Sequence, residues 1–184
     1  MMNTQKIKTL MTVLCVAFVV FGIMSSASAL TITPATTPQW TGNENNTPDI
    51  LNAIDDLGIT LGDMLYKSSV GGGEEGPLAS SYQTTFLNTP TDPSGALITW
   101  QGPYIVDDAF LLVKDGSQTP AWYLYDLRSS WDGMETLSLS GFWPAQGAIS
   151  NVSLYGTAAV PEPGTMLLLG LGLVGVAGAR RFKK

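Results

Sequence analysis

The chain has no histidine, a single cysteine, and only 9 basic residues against 15 acidic ones among its 184 residues. Without histidine it can form neither a Ser-His-Asp or Cys-His catalytic group nor an imidazole site for zinc or copper. A net charge of −6 argues against the basic surface that a nucleic-acid-binding protein needs to neutralise phosphates. We therefore expect no nucleic-acid partner, no cofactor and no enzymatic activity.

Residues 1–29 have the composition of a secretory signal peptide. Two lysines precede an apolar run over residues 10–24, which is short for a membrane span, and small residues follow. Ala27 and Ala29 supply an A-x-A signature, which predicts export by the Sec machinery and cleavage before Leu30. A retained membrane anchor is the alternative. Because the one cysteine lies inside the removed segment, the exported protein would have no disulfide.

Residues 160–184 combine a proline-containing motif, a short apolar run and a basic tail. Pro161, Glu162 and Pro163 lead into residues 165–179, and the chain ends with four basic side chains, Arg180, Arg181, Lys183 and Lys184. The apolar run predicts a short transmembrane helix, since it covers about 22 Å of a hydrocarbon core about 30 Å thick. Basic residues stay on the cytoplasmic side, so residues 30–160 would be periplasmic in the precursor.

This order of motif, apolar helix and basic tail over residues 160–184 closely resembles the PEP-CTERM sorting signal of Gram-negative bacteria. The resemblance implies that an exosortase, a membrane-embedded protease-transpeptidase, recognises Pro161, Glu162 and Pro163 after transient anchoring in the inner membrane. It also implies a mature protein at the outer surface or outside the cell, in a host that makes exopolysaccharide. The fixed φ angles of the prolines suit extended presentation to a protease. A plain single-pass anchor behind a proline-rich linker is the alternative.

Between the two terminal segments lies a strongly acidic region. Residues 30–160 carry 14 acidic and 3 basic residues, a formal charge of −11, so we expect this region to be soluble and to avoid anionic surfaces. Residues 30–47 are rich in Thr, Pro and Asn and predict an irregular lead-in. Thr47 as N-cap, Pro48 as first helical residue, apolar residues at helical spacing and a terminal Gly58 then predict one short helix.

Short β-type segments follow from residue 81 onward, separated by turn formers such as Asp-Pro-Ser-Gly at 92–95. Six strands are predicted, at residues 82–87, 96–101, 109–114, 121–126, 135–140 and 149–155. Residues 48–159 are therefore predicted to be mainly β, an antiparallel β-sandwich or jelly roll, with a small open barrel as the alternative. The segments 65–67, 112–116, 120–127, 131–133 and 140–144 resemble an uncharacterised ectodomain that recurs among PEP-CTERM proteins.

A cluster of aromatic residues is the first candidate for binding. Trp122 alternates with Tyr123 and Tyr125 on one predicted strand, and Trp131 and Trp143 lie in adjoining turns. A sandwich strand buries only one face, so we expect one set of rings to be exposed, where it could stack on the sugars of an exopolysaccharide. The alternative interpretation is that the rings pack in the core and in a tyrosine-rich outer sheet.

Carboxylates are the second candidate. Turn aspartates could hold a calcium ion, although no EF-hand or nonapeptide spacing is present (Asp107, Asp108, Asp115, Asp126 and Asp132). A glycosidase needs two carboxylates about 5–10 Å apart, and Asp126 with Glu135 is the pair considered. We expect a structural or interaction component of the surface or extracellular matrix, associated with exopolysaccharide or biofilm. A carbohydrate-binding module is the alternative, and a small glycan-acting enzyme is a remote one.

Overall fold

The structure is a computed structural model that describes residues 28–37, 39–88, 92–115, 117–144 and 148–159. In chain order its elements are β1 (Ala29–Ile32), β2 (Gln39–Gly42), α1 (Thr47–Asp56), β3 (Asp63–Ser69), β4 (Glu74–Glu75), β5 (Tyr82–Leu87), β6 (Gly95–Trp100), β7 (Ile105–Lys114), β8 (Trp122–Asp126), β9 (Thr136–Leu139) and β10 (Asn151–Ala158). The predicted signal-peptide core with Ala27, the sorting motif, the transmembrane helix and the basic tail lie outside the described residues.

The strands form two sheets. One has four strands in the order β1-β9-β6-β5, and the other has six in the order β2-β8-β7-β10-β3-β4. The pairing of β1 with β9 is parallel, and the other pairings are antiparallel. The predicted mainly β, sandwich-like fold is confirmed, and the described strands do not form the open barrel. Each of the six predicted strands is present, although β7 begins four residues earlier and β10 ends three residues later than predicted, and strands β3 and β4 were not predicted.

The main hydrophobic core lies between the two sheets. Because successive side chains of a strand point to opposite faces, every second residue of the central strands faces inward. These inward residues include Ile98 on β6, Leu137 on β9, Leu111 on β7 and Leu154 on β10. Burial of each such side chain stabilises the fold by roughly 1.5–3 kcal/mol. Packing of this kind must replace disulfides, since the chain has only one cysteine, at position 15.

Helix α1 packs on the outer face of the six-stranded sheet and forms a second core there. Ile50 and Ile54 are fully buried against outward-facing side chains of β7, β8 and β10, namely Phe110, Leu112, Trp122, Leu124 and Tyr155. The predicted helix is present, but its N-cap is Asn46 rather than Thr47: Asn46 keeps an extended backbone and its side chain accepts the Asp49 N–H at 3.0 Å. Gly58, at φ +74°, ends the helix as predicted.

The predicted irregular lead-in needs correction, because residues 30–47 contain nearly all of β1 and the whole of β2. Each is a short edge strand, and the two belong to different sheets. β1 pairs with β9 and β2 pairs with β8, partners that lie in the second half of the described chain. Since the order of this segment comes from distant partners, local composition did not reveal it.

The described chain begins and ends at the same end of the sandwich, which we call the near end. There β1 starts with Ala29 opposite Thr136 of β9, and β10 finishes with Ala158 opposite Ile105 of β7. The opposite end, which we call the far end, contains the last residue of β7 and the first residue of β10. These two ends orient the surface features described below.

Candidate functional site

The aromatic residues singled out from the sequence are mostly buried. Trp122 and Tyr125 are each 1% exposed, Trp131 is 8% and Trp143 is 9% exposed, and Tyr123 is half-buried. The prediction that one face of β8 is exposed is therefore wrong. It assumed a strand with one solvent-facing side, whereas α1 and the second core cover the outer face.

The rings divide between the two cores. Trp122 faces outward beneath α1, and its indole N–H donates to Glu44 Oε2 at 2.8 Å, which lowers the pKa of Glu44. Tyr123 and Tyr125 face the main core, where they stack with ring centroids 6.3 Å apart. The ring centroid of Trp143 lies 5.3 Å from that of Tyr123. The indole N–H of Trp143 donates to a backbone oxygen. Burial raises the pKa of Tyr125 well above its ordinary value. In this arrangement the rings hold the sandwich together.

The outer face of the six-stranded sheet carries a groove with a volume of about 500 Å³, which we call the outer groove. Its floor consists of outward side chains of β3, β7 and β10: Met64, Lys67, Leu112, Lys114, Asn151, Ser153 and Tyr155. Leu51, Ile54 and Asp55 of α1 form one wall, and residues 59–62 close the near end. A mostly apolar cleft with a few converging polar groups has the general character of a ligand site.

Strand register orders the floor of the outer groove from polar to apolar. At the far end, Lys114 lies opposite Asn151. In the middle, Ser153 lies between Leu112 and Lys67. Towards the near end, Tyr155 pairs with Met64, and the apolar loop residues Ile59 and Leu61 are adjacent. The groove thus presents hydrogen-bonding groups in one half and an apolar surface in the other.

The outer groove also contains most of the positive charge of the domain. Residues 30–159 have three basic side chains, of which Lys67 and Lys114 line the groove. Lys67 forms an ion pair with Glu75, with Nζ 3.3 Å from Oε2, and Glu75 also lines the groove. Within the part of the chain that the structure describes, Lys114 makes no ion pair.

The third basic residue, Arg128, lies in a second depression on the other side of the loop 57–62, beside Trp40 and Phe110. Its guanidinium group holds both carboxylate oxygens of Asp126, at 2.9 and 2.5 Å, and sits 5.0 Å from the centre of the Phe110 ring. These contacts pair the positive charge of Arg128 with the Asp126 carboxylate and with the Phe110 ring. The hydrogen bond from Arg128 lowers the pKa of Asp126, which stays ionised as the partner in this pair.

Most of the turn aspartates considered for calcium accept hydrogen bonds from nearby backbone N–H groups. Asp132 accepts the N–H groups of Met134 and Glu135 at 2.8 and 2.7 Å, and these two bonds lower the pKa of its carboxyl group. Asp107 accepts the N–H of Asp108, and Asp115 that of Ser117. Across the described ranges, no three carboxylates converge in a group able to hold a metal ion.

The two carboxylates considered as a glycosidase pair lie on different sheets. Asp126 is the last residue of β8 in the six-stranded sheet, where it binds Arg128. Glu135 immediately precedes β9 of the four-stranded sheet, and its backbone oxygen accepts the indole N–H of Trp131. Neither carboxylate lines the outer groove.

The predicted signal-peptide cleavage site touches the described residues at its C-terminal side. Ala29 pairs with Thr136, and the half-buried Leu30 pairs with Leu137. Cleavage between Ala29 and Leu30 would leave Leu30 as the first residue of the mature chain and of its first strand. The remaining residues of β1 would keep their pairing with β9.

The sequence did not single out the outer groove. Lys67 and Lys114 belong to strands that are far apart in the chain, and only the pairing of β3 with β10 and of β10 with β7 brings them to one surface. One signal was present, because Lys67 and Lys114 are two of only three basic residues in an acidic region. Because the rest of this region is acidic, the surface around each basic residue differs from it in charge.

Residues 159–181 match the family model for the PEP-CTERM protein-sorting motif. No curated protein and no solved structure matches the chain significantly. Among the described residues, no helix has both the length and the apolar character needed to cross a membrane.

Proposed function

We propose that this chain, whose residues 159–181 match the PEP-CTERM protein-sorting motif, is an exosortase-processed component of the outer surface or extracellular matrix, where it binds exopolysaccharide without enzymatic activity. The sorting motif supports export and processing by an exosortase. The Sec machinery and transient anchoring in the inner membrane belong to the proposed route. The role after release is inferred from the exported domain.

The outer groove is the observation on which the binding role rests. A sugar ring has an apolar C–H face and an edge of hydroxyl groups. The apolar half of the groove, with the half-exposed Met64, Ile59 and Leu61, suits the first, and the polar half, with Lys67, Lys114 and Asn151, offers hydrogen-bond donors to the second. An open groove accepts an internal segment of a long polymer, whereas a closed cavity accepts only a chain end.

The charge of the domain narrows the class of polysaccharide. With 14 acidic and 3 basic residues between positions 30 and 160, the domain repels a densely anionic polymer. The positive charge of the two lysines in the groove is compatible with binding a polymer that contains an occasional acidic sugar. We therefore propose a neutral or sparsely acidic exopolysaccharide as the ligand.

The test is retention of the purified protein on the host's own exopolysaccharide. Lys114→Ala combined with Asn151→Ala should weaken binding by about tenfold, which corresponds to ~1.4 kcal/mol. Arg128→Ala is the matched control, since it removes a basic residue of the same sheet face outside the groove. Equal loss in both variants, or unchanged binding in the groove variant, would reject the outer groove as the site.

A further inference from the structure

A small group of exposed apolar side chains lies at the near end of the sandwich. Trp100 is 39% exposed, Met134 is 39% and Val106 is 51% exposed. The ring of Tyr104 meets Trp100 edge-on, with centroids 6.3 Å apart. We call these four residues the near-end patch.

Backbone contacts bring the turn that carries Met134 against Tyr104 and against the start of β7. A Cβ atom built on Gly133 would come within 2.9 Å of the Tyr104 ring, so the turn that carries Met134 lies against Tyr104. Val106 follows Ile105, whose carbonyl oxygen also abuts Gly133. Isolated exposed apolar residues are ordinary, but a cluster containing Trp and Tyr points to a contact surface.

Both ends of the described chain lie beside the near-end patch. The N–H of Ala159 donates to the backbone oxygen of Tyr104 at 2.8 Å. Ala29 pairs with Thr136, which lies just after Met134 in the chain. A contact that fixes the segment before residue 28 or the segment after residue 159 therefore also keeps this patch close to that contact.

The length of the following chain limits how far the patch can be from a membrane. Residues 160–164 separate Ala159 from the apolar run 165–179. Even fully extended, that connection spans only about 20 Å. The headgroup region of one leaflet is itself about 5–8 Å thick. With the apolar run inserted, the near end must lie within about 20 Å of the hydrocarbon core, which is close enough for it to reach the lipid headgroups.

We propose that the near-end patch rests in the headgroup region of the membrane while the precursor is anchored, so that the domain is held against the bilayer in one orientation. This inference rests on the proposed function, because it requires residues 165–179 to be inserted. Tyr and Trp rings are favoured at the membrane interface, where an apolar body meets water. Asp107 and Asp132 flank the patch, so it should prefer zwitterionic to anionic lipid.

This placement would have two consequences for the precursor. The sorting motif would lie at headgroup depth, within reach of a membrane-embedded protease. The polar end of the outer groove, at Lys114 and Asn151, would point away from the bilayer, because it lies at the far end of the sandwich. A domain anchored in this way could contact polymer before it is released.

The test uses the full chain reconstituted in phosphatidylcholine vesicles that contain lipid brominated at a shallow acyl position. Bromine quenches nearby tryptophan fluorescence, and co-sedimentation with the vesicles reports anchoring. The wild-type chain should be quenched, and Trp100→Phe should lose most of that quenching. Trp40→Phe is the matched control, since Trp40 is half-buried on the outer face of the six-stranded sheet, and it should be quenched like wild type.

The outcomes separate this inference from the proposed function. A chain that co-sediments but whose quenching is the same in wild type and Trp100→Phe contradicts the near-end patch as a membrane contact. A chain that does not co-sediment contradicts the anchored precursor itself, and the inference with it. Quenching that appears only when an exosortase is present would mean that the protease, and not the near-end patch itself, holds the domain at the bilayer, and it would also overturn the lipid proposal.

Discussion

The hydroxyl group of Tyr82 donates a hydrogen bond of 2.7 Å to the backbone oxygen of Gly133. The same hydroxyl accepts the N–H of Ile105 at 3.0 Å. One buried oxygen thus joins the first residue of β5, the start of β7 and the turn before β9, and so links the two sheets at the near end. The near-end patch lies on the outside of this junction.

Tyr82→Phe should destabilise the domain by about 2 kcal/mol, because it leaves two buried backbone groups without their partner. Tyr104→Phe is the matched control at the same end, since the Tyr104 hydroxyl makes no hydrogen bond to the described residues. Urea unfolding monitored by fluorescence measures the stability of both variants. Equal midpoints for the two variants would mean that the Tyr82 hydroxyl does not hold the near end together.

Alkaline pH should unfold the domain through its buried tyrosines. Burial raises the pKa of Tyr66, Tyr82, Tyr123, Tyr125 and Tyr155, that of Tyr82 to about 12. The unfolded chain loses these protons near pH 10 while the folded chain keeps them. The stability they contribute is complete below about pH 10 and is lost as pH rises through the folded pKa values.

The measurement is the urea midpoint at a series of alkaline pH values, with tyrosinate absorbance recorded in parallel. We expect the midpoint to fall above about pH 10 and to fall less steeply in Tyr82→Phe. Full tyrosine ionisation near pH 10 with an unchanged midpoint would contradict the buried positions of these hydroxyls.

Trp122→Ala should cost about 3–5 kcal/mol, because it empties a fully buried site beneath α1. Trp100→Ala removes the same side chain from a partly exposed position, 39% exposed, and should cost less than about 1 kcal/mol. Thermal unfolding compares the two. A Trp122 that contacted sugars at the surface would show the opposite pattern, with unchanged stability and reduced glycan binding.

Asn46→Ala should weaken helix α1 by about 1 kcal/mol, since it removes the side chain that accepts the Asp49 N–H. Asn45→Ala, at an exposed neighbour, is the control. Because α1 is one wall of the outer groove, exopolysaccharide retention should fall in Asn46→Ala and not in Asn45→Ala. A loss of stability with full retention would show that the helix wall does not take part in binding.

Much of the fold could be predicted from local sequence. The bounds of β5 coincide with the predicted residues 82–87, because turn formers flank a segment of β-type residues there. Helix α1 was visible from its apolar spacing and from Gly58. The N-cap was misplaced by one position because Asn46 and Thr47 are both favourable caps.

Long-range pairing explains what the sequence did not reveal. The sides of β8 could be assigned by alternation, but the burial of Trp122 depends on α1, which lies much earlier in the chain. The outer groove likewise requires Lys67 and Lys114 to reach one surface through β10. The six strands after residue 81 and helix α1 were predicted from the sequence, whereas strands β1 to β4 and the contacts between the elements were not.

The most direct test of the account is the intact mass of the protein recovered from the host's surface and extracellular fractions, with and without an active exosortase. We predict a chain that begins at Leu30 and ends near Pro161–Gly164 when the exosortase is active, and a longer membrane-bound chain when it is absent. A full-length chain that retains both Ala29 and Lys184 in the inner membrane of the exosortase-positive host would contradict the account.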